Sequence, residues 1–239
     1  ILTHSWRFGR DDLPVGGFGE VADLFAGYES VSGKAVDRES VKFWQVFGSF
    51  WWAVGCLGMA EHYRNGPDKT VERPAIGRRS SECQVDCVNL LIPGSVALEK
   101  PVKAAAAMPA MEELLTSVSD FLRDEVMAHT QGRLQFLARV AANSLDIVQR
   151  EQALATPGLV NEEQRLKELF GGTDDSLLGL EDLRWRLVHA LRDGSMPLDS
   201  ELLQGHLRAS VVNQIAIDQP RYAGFKTATN GAKTETVGD

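Results

Sequence analysis

Two cysteines lie four residues apart, a spacing that could present two thiolates to one metal ion. Cys83 and Cys87 occupy successive turns of a predicted helix, and His62 is a conceivable third ligand. The same helical face carries three aliphatic residues, Ile76, Leu90 and Leu91. Because a buried free cysteine behaves as a small apolar residue, and because the chain has no Cys-x-x-Cys pair, a core stripe is favoured over a metal site.

Two polar stripes could bind an anion or a partner through charge-assisted hydrogen bonds. The first consists of Arg78, Arg79, Glu82, Asp86 and Asn89. The second lies in the other half of the chain and consists of Arg139, Asn143, Asp146 and Arg150. We take Arg139, Asn143 and Arg150 as a candidate anion site. A solvated face held by intrahelical ion pairs is the more ordinary explanation of both stripes.

Local spacing identifies no nucleophile, general base or catalytic residue. The histidines are scattered over separate predicted elements, at His4, His62, His129, His189 and His206. No Ser/His/Asp or Cys/His arrangement can be assembled from them. The sequence Gly16-Gly17-Phe18-Gly19 lacks the lysine and spacing of a phosphate-binding loop, so we interpret it as a turn with positive φ angles before a helix.

The elements that would position these residues are helices. In the first part of the chain, apolar spacing and capping residues predict a helix that ends at Gly33. A long helix is predicted from Asp37 to about Asn65, and a third is stopped by Pro93. No segment shows the alternation of a strand, and the sequence therefore predicts an all-α fold.

The second part of the chain predicts a further helical bundle. Its helices are expected over 111–122, over 134–155, from a capping box at Asn161 to Gly171, over 180–191, and from Asp199 to Pro220. Residues 93–108 combine proline, glycine and alanine without an amphipathic stripe, which is typical of a linker. The predicted organisation is thus a first domain over 1–92, a linker over 93–108, a second domain over 109–223 and a disordered tail over 224–239.

Composition narrows the classes of protein further. The 239 residues carry a net charge of −8 and no basic run, which argues against nucleic-acid binding. Three cysteines are too few for a disulfide scaffold, so the cytoplasm is the expected location. The N-terminus has neither an initiating Met nor the layout of a signal peptide, and we expect the chain to begin partway through a longer parent.

The run from Phe43 to Ala60 contains eighteen residues without a charge, the length at which a membrane span must be considered. Glycines and polar residues dilute the run, and Trp51 and Trp52 lie at its middle rather than near an interface. We therefore expect no membrane span but a helix buried on most sides. The exposure of these aromatic residues tests whether another element covers this helix, because a large uncovered apolar patch would indicate a missing lobe or a partner. The residues are Phe43, Phe47, Phe50 and Trp51.

Several short motifs occur in an order that matches a known family. They are Trp6-Arg7-Phe8-Gly9, Pro14-Val15-Gly16-Gly17-Phe18-Gly19, Tyr28-Glu29-Ser30-Val31-Ser32-Gly33, Val36-Asp37, Phe43-Trp44, and Ile76-Gly77-Arg78-Arg79 with Glu82. Together they resemble the C-terminal end of the aminoglycoside phosphotransferase-like kinases, and the closest branch is often named alongside acyl-CoA dehydrogenases. The resemblance covers residues 1–92 and implies the helical C-lobe of a kinase-like fold.

The resemblance implies an ATP- and Mg²⁺-dependent kinase of small-molecule hydroxyls, with hydroxyacyl thioesters among the candidate acceptors. The family's catalytic loop and metal-binding Asp are not in this sequence, so no catalytic residue carries over, and no cofactor is expected to bind this chain. What matches is the helical part that shapes the acceptor pocket. The candidate substrate-binding residues are Trp6, Arg7, Trp44 and Trp51. The chain alone should be inactive.

Residues 109–223 are similar to an uncharacterised helical domain that commonly follows such kinases in bacteria. The matching motifs are Gly132-Arg133-Leu134-Gln135-Phe136, Arg139-Val140-Ala141-Ala142-Asn143, Ile147-Val148-Gln149-Arg150-Glu151 and Asp218-Gln219-Pro220-Arg221-Tyr222. This similarity implies no activity. The alternative function is a non-catalytic interaction protein whose aromatic helix, residues 43–60, completes a separate nucleotide-binding lobe or a homo-oligomer. A third candidate function is that of a helical bundle that binds a ligand among those aromatic residues.

Overall fold

The computed structural model describes residues 1–102, 109–171 and 178–229. Within these ranges the regular structure is helical, and the one strand-like pairing is an isolated bridge between Val15 and Gly19. The predicted all-α fold is therefore confirmed. The chain divides into two compact units. Unit 1 contains Ile1–Ser95 together with the segment that begins at Asp218, and unit 2 contains Val96–Ile217.

A short 3₁₀ turn, His4–Arg7, precedes the first α-helix. In chain order the α-helices are α1 (Val21–Ser32), α2 (Arg38–Asn65), α3 (Glu72–Arg78), α4 (Ser80–Leu91), α5 (Met111–Asp120), α6 (Gly132–Phe170), α7 (Leu180–Arg192), α8 (Glu201–Asp218) and α9 (Ala223–Thr229). A π-helical segment, Phe121–Met127, continues α5.

Local capping signals fix the ends of the first helices as predicted. Gly33 ends α1 in the left-handed conformation, with φ of 67°. The side chain of Asp37 accepts a hydrogen bond from the Glu39 amide at 3.2 Å and begins α2. The predicted third helix is divided, because a tight turn at Arg79 separates α3 from α4.

The core of unit 1 lies between α2 and the α3–α4 pair. The buried face of α2 consists of Ser49, Ala53 and Cys56. Wholly or nearly buried side chains of α4 meet it, among them Cys83, Val85 and Val88. Of the two cysteines predicted to lie in the core, Cys83 is fully buried and Cys87 is half-buried. Cys56 of α2 is also fully buried, and Cys56 and Cys83 pack as small apolar residues.

The prediction of a disordered tail over 224–239 is wrong for its first residues. Helix α9 includes 224–229 and packs against α4, and Gly224 and Ala228 are buried. Small side chains explain the close approach, because a Cβ added to Gly224 would lie 2.7 Å from Oδ1 of Asp86. Residues 230–239 lie outside the described residues. Residues 218–223, assigned to the second domain by the sequence, belong to unit 1.

The expectation that α2 is buried on most sides is also wrong. Opposite its buried face, α2 carries a continuous strip of apolar side chains that are each between 46 and 63% exposed. We call this the aromatic strip, and it consists of Phe43, Trp44, Phe47, Phe50, Trp51, Val54 and Leu57. Over Phe43 to Leu57 it is about 21 Å long. No helix in the described part of the chain has the length and apolarity needed to cross a membrane.

Unit 2 is built around α6, which packs against α5, the π-helical segment and α7. Its core cluster consists of Leu166, Leu183, Leu187 and Leu203. Two separate helices were predicted over 134–155 and after Asn161, but α6 is continuous through Pro157. The proline cannot donate to the Ala153 carbonyl, and the amide of Val102 donates to that carbonyl instead, at 2.9 Å.

Part of the predicted linker therefore packs on unit 2. Besides the Val102 hydrogen bond, the amide of Glu99 donates to Oδ1 of Asn213 at 2.9 Å. The side chain of Glu99 also accepts a hydrogen bond from Asn161 at 2.6 Å. These bonds attach residues 99–102 to α6 and α8. The rest of the predicted linker includes residues 103–108, which lie outside the described residues.

Candidate functional site

A cavity of about 540 Å³ lies within unit 1, beside the N-terminal 3₁₀ turn. Its wall comes from the N-terminal segment, from α2, from the first turn of α4 and from the segment after α8. The lining residues are His4, Ser5, Trp6, Phe8, Gly9, Asp11, Trp52, Arg79, Glu82, Gln219, Arg221, Tyr222, Ala223 and Lys226. We call this cavity the unit 1 pocket. Four parts of the chain that are far apart in sequence therefore build one site.

A buried carboxylate, Asp86, holds two of these segments together. Its Oδ1 lies 2.9 Å from Nδ1 of His4, and its Oδ2 accepts a hydrogen bond from the Tyr222 hydroxyl at 2.7 Å. The rings of His4 and Tyr222 are also in contact, with centroids 5.1 Å apart. Both oxygens of Asp86 are thus occupied by donors of the protein itself.

His4 contacts two carboxylates. Its Nδ1 faces Asp86, and its Nε2 lies 3.1 Å from Oδ1 of Asp11. Burial by itself lowers the pKa of His4, but the hydrogen bonds to Asp86 and Asp11 and the negative charge of Asp86 outweigh burial, and the net pKa is raised. A protonated imidazole can donate to both carboxylates at once.

Tyr222 acts as a hydrogen-bond donor. Burial raises the pKa of its hydroxyl, and the charge of Asp86 raises that pKa further. Its hydroxyl therefore keeps its proton at neutral pH, where it donates to the carboxylate. We assign Tyr222 a structural role that attaches the segment after α8 to α4.

A bidentate ion pair forms another part of the wall. Nε and Nη2 of Arg79 each lie 3.1 Å from an oxygen of Glu82. Burial raises the pKa of Glu82, and the hydrogen bonds of Arg79 offset part of that increase. Because the guanidinium fork matches the carboxylate, the pair fixes both side chains at the edge of the cavity.

The apolar side of the pocket is aromatic. The rings of Trp6 and Trp52 lie 5.9 Å apart at 39° to each other, and Phe8 contacts Trp6 edge-on. Phe8 has a φ of 50° and is the one residue other than glycine with positive φ in the described ranges. A bulky residue in that conformation is strained, and such strain clusters at binding sites. Aromatic faces of this kind bind planar or apolar parts of a ligand.

The candidate substrate residues fall in different places. Trp6 lines the pocket, whereas Arg7 beside it does not and has a buried Nε without a hydrogen-bond partner among the described residues. Trp44 and Trp51 belong to the aromatic strip and do not line the cavity. Sequence reasoning missed His4 and Tyr222 as site residues, although Tyr222 ends a motif that it had singled out.

The candidate anion residues Arg139, Asn143 and Arg150 belong to unit 2 and do not line the unit 1 pocket. Arg139 and Asn143 are exposed on α6. Nε of Arg150 donates to the carbonyl of Ile217 at 2.5 Å, which caps the end of α8. The neighbouring Asp146 accepts a hydrogen bond from Arg123 at 2.6 Å. These contacts give Arg150 and Asp146 roles in packing.

Across residues 1–102, 109–171 and 178–229, no three His, Cys, Asp or Glu side chains cluster in a way that could hold a metal ion. Of the two cysteines considered as thiolate ligands, Cys83 is fully buried, and both thiols have a raised pKa, to about 11 for Cys87, where burial is the largest cause. In the pocket, Asp86 and Glu82 are both engaged by protein donors. These two carboxylates therefore do not fit a magnesium site.

We expect the stability of unit 1 to depend on pH through His4. A group whose folded pKa is raised stabilises the fold below its unfolded pKa, and that contribution is lost as the pH rises through the folded value. The free energy of unfolding, measured in urea between pH 6 and 8.5, should therefore fall less steeply for His4→Gln than for the unchanged chain. The control is His62→Gln at an exposed position, and a parallel slope for His4→Gln would contradict the assignment.

Comparison with known proteins finds a family match for one region of the chain. Residues 128–222 match a family model described as a domain of unknown function, DUF6285. The predicted uncharacterised domain in the second half of the chain is thereby confirmed, and its matched range extends to Tyr222 in the unit 1 pocket. The chain matches no curated protein. It also matches no solved structure.

Proposed function

We propose that unit 1 is the acceptor-binding side of an ATP-dependent phosphotransferase that acts on a hydroxyl of a small metabolite. Hydroxyacyl thioesters are among the candidate acceptors. One observation carries the proposal. Two separated motifs that resemble the phosphotransferase family, those of Trp6 and of Arg79 with Glu82, lie on the same pocket. A pocket lined by aromatic side chains with a few convergent polar groups is the usual form of a small-molecule site.

The pocket residues have separable tasks in this proposal. The aromatic rings of Trp6 and Trp52 contact the body of the acceptor, and the Arg79–Glu82 pair fixes the polar edge against which the acceptor is oriented. Orientation of this kind is what phosphoryl transfer requires of an acceptor site. When bound, ATP would supply the phosphoryl group and Mg²⁺ would neutralise its charge. We assign neither of them to residues of this chain.

The aromatic strip is the second element of the proposal. A continuous apolar face of this length on a helix of a folded unit is typical of a surface that is covered by another protein element. We propose that it contacts the nucleotide-binding lobe, whether that lobe belongs to the same polypeptide or to another. Strip and pocket share α2, because Trp52 of the pocket adjoins Trp51 of the strip, with ring centroids 6.4 Å apart.

The alternative function is a non-catalytic interaction protein. The aromatic strip favours it as well, because two copies of α2 could cover each other in a homo-oligomer. The two functions differ in what they require of the pocket. A homo-oligomer formed through α2 has no need of Trp6, whereas an acceptor site does.

Phosphoryl transfer by the native protein, purified from its source, tests the proposal. Labelled ATP with Mg²⁺ is supplied to a panel of hydroxylated metabolites that includes hydroxyacyl thioesters, and labelled products are counted. We expect transfer to at least one acceptor, and Trp6→Ala should lower kcat/KM about tenfold or more, since one aromatic contact is lost. The matched control, Trp185→Ala, removes an exposed tryptophan of unit 2 and should leave the rate unchanged. Absence of transfer to every acceptor, or equal rates for both variants, would contradict the proposal.

A further inference from the structure

The charged residues of the unit 1 pocket fall into two groups. Arg79 is paired with Glu82, and His4 contacts both Asp11 and Asp86. The remaining two charges are cations on the segment after α8, Arg221 and Lys226. In the part of the chain that the structure describes, neither side chain forms a hydrogen bond or an ion pair.

These two cations belong to a segment that is hydrogen-bonded to α4. The Tyr222 hydroxyl bonds to Asp86, and Nδ2 of Asn89 donates to the Gly224 carbonyl at 2.8 Å. Gly224 itself packs so closely on α4 that an added Cβ would lie 2.9 Å from Cε1 of Tyr222 and 3.1 Å from Cγ1 of Val85. Arg221 and Lys226 are therefore presented to the cavity by fixed backbone, and binding an anion would not require the segment to be ordered first.

Local charge at this wall is opposite to that of the whole protein. The chain has a net charge of −8, yet the wall formed by 219–226 presents two cations and no carboxylate. Uncompensated cations at the edge of a cavity raise the local concentration of anions and form charge-assisted hydrogen bonds with oxyanions. The same cavity is lined by Trp6 and Trp52, whose rings lie 5.9 Å apart.

We propose that Arg221 and Lys226 bind the anionic group of the ligand of the unit 1 pocket. The ligand is accordingly an amphiphilic oxyanion, with a phosphate or carboxylate at this wall and an apolar or aromatic body against Trp6 and Trp52. The inference deepens the proposed function, since it rests on the same pocket being the acceptor site. It also assigns substrate selection to Arg221, a residue within the matched range of the DUF6285 family.

Fluorine NMR of the full 239-residue chain tests this inference. The five tryptophans are replaced by 5-fluorotryptophan, and their resonances are assigned with single Trp→Phe variants. The probes are 1-naphthyl phosphate and its uncharged counterpart 1-naphthol. We expect 1-naphthyl phosphate to shift the resonances of Trp6 and Trp52 at concentrations at least tenfold lower than 1-naphthol does, while Trp185 in unit 2 is unchanged.

Paired variants isolate the two cations. In Arg221→Ala/Lys226→Ala the Kd for 1-naphthyl phosphate, read from the Trp6 and Trp52 shifts, should rise about tenfold or more, and the Kd for 1-naphthol should stay the same. The matched control is Lys34→Ala/Lys42→Ala, which removes two exposed lysines of unit 1 that do not line the pocket. That control should bind both probes as the unchanged chain does.

Two results would overturn the inference. One is an equal Kd for the two naphthyl probes, and the other is a Kd for 1-naphthyl phosphate that the Arg221/Lys226 variant leaves unchanged. Failure of the proposed function is distinguishable from either. A native protein that transfers no phosphoryl group, together with a chain that binds 1-naphthyl phosphate through these cations, would refute the phosphotransferase and retain the anion site.

Discussion

Asp86→Ala should lower the free energy of unfolding by about 3 kcal/mol, because it removes one partner of a buried charged network. Asp86 is only 4% exposed, and it accepts hydrogen bonds from both His4 and Tyr222. Without it, the Tyr222 hydroxyl and the Nδ1 of His4 lose the acceptor to which both are bonded. The loss should be measured by urea unfolding followed by tryptophan fluorescence.

Two further variants test whether the destabilisation by Asp86→Ala comes from the lost hydrogen bonds. Asp86→Asn keeps the shape and one acceptor oxygen, so its destabilisation should be smaller than that of Asp86→Ala. Asp23→Ala removes an exposed aspartate from α1, and it should change the free energy of unfolding by less than about 1 kcal/mol. If Asp86→Ala were no worse than Asp23→Ala, Asp86 would not hold the segments of the pocket together.

The proposed function predicts that Phe47→Glu/Trp51→Glu weakens association with a nucleotide-binding lobe at least a hundredfold and abolishes phosphoryl transfer by the native protein. Buried aromatic side chains dominate the binding energy of protein interfaces, and two carboxylates at the centre of such an interface would be desolvated without partners. Both residues are exposed in the isolated chain, where the variant should unfold at nearly the same urea concentration as the unchanged chain.

Val31→Glu is the matched control for the strip. Val31 is 90% exposed on α1 and is not part of the aromatic strip, so a glutamate there should leave transfer activity unchanged. Transfer that survives Phe47→Glu/Trp51→Glu would show that the strip does not contact the catalytic lobe. Loss of transfer in Val31→Glu as well would show only that added charge is harmful.

Local signals were sufficient for much of the fold. Gly33 ends α1 and Asp37 begins α2, as the sequence predicted. The periodic leucines of α7 pack with Leu166 in the core of unit 2. The continuity of α6 could not be predicted in this way. It depends on the Val102 amide, which replaces the hydrogen bond that Pro157 cannot make, and that contact comes from a segment interpreted as a free linker.

The pocket could not be predicted from local sequence patterns, because its contacts also join distant parts of the chain. His4 and Tyr222 are 82 and 136 positions from Asp86, so no spacing pattern relates them. Exposure of α2 was mispredicted because a charge-free run indicates only that apolar surface exists, and it does not indicate which chain covers that surface. The period of Phe43, Phe47, Phe50, Val54 and Leu57 is nevertheless that of a helix-packing seam.

A photocross-link from the aromatic strip tests the central claim most directly. Trp51 is replaced by benzoylphenylalanine in the protein produced in its native host, the cells are irradiated, and the cross-linked peptides are sequenced by mass spectrometry. We predict cross-links to a polypeptide segment that carries a His-x-Asp catalytic loop and a metal-binding Asp, in the same chain or in another. Cross-links to α2 of a second copy, or to proteins without those motifs, would contradict the phosphotransferase function.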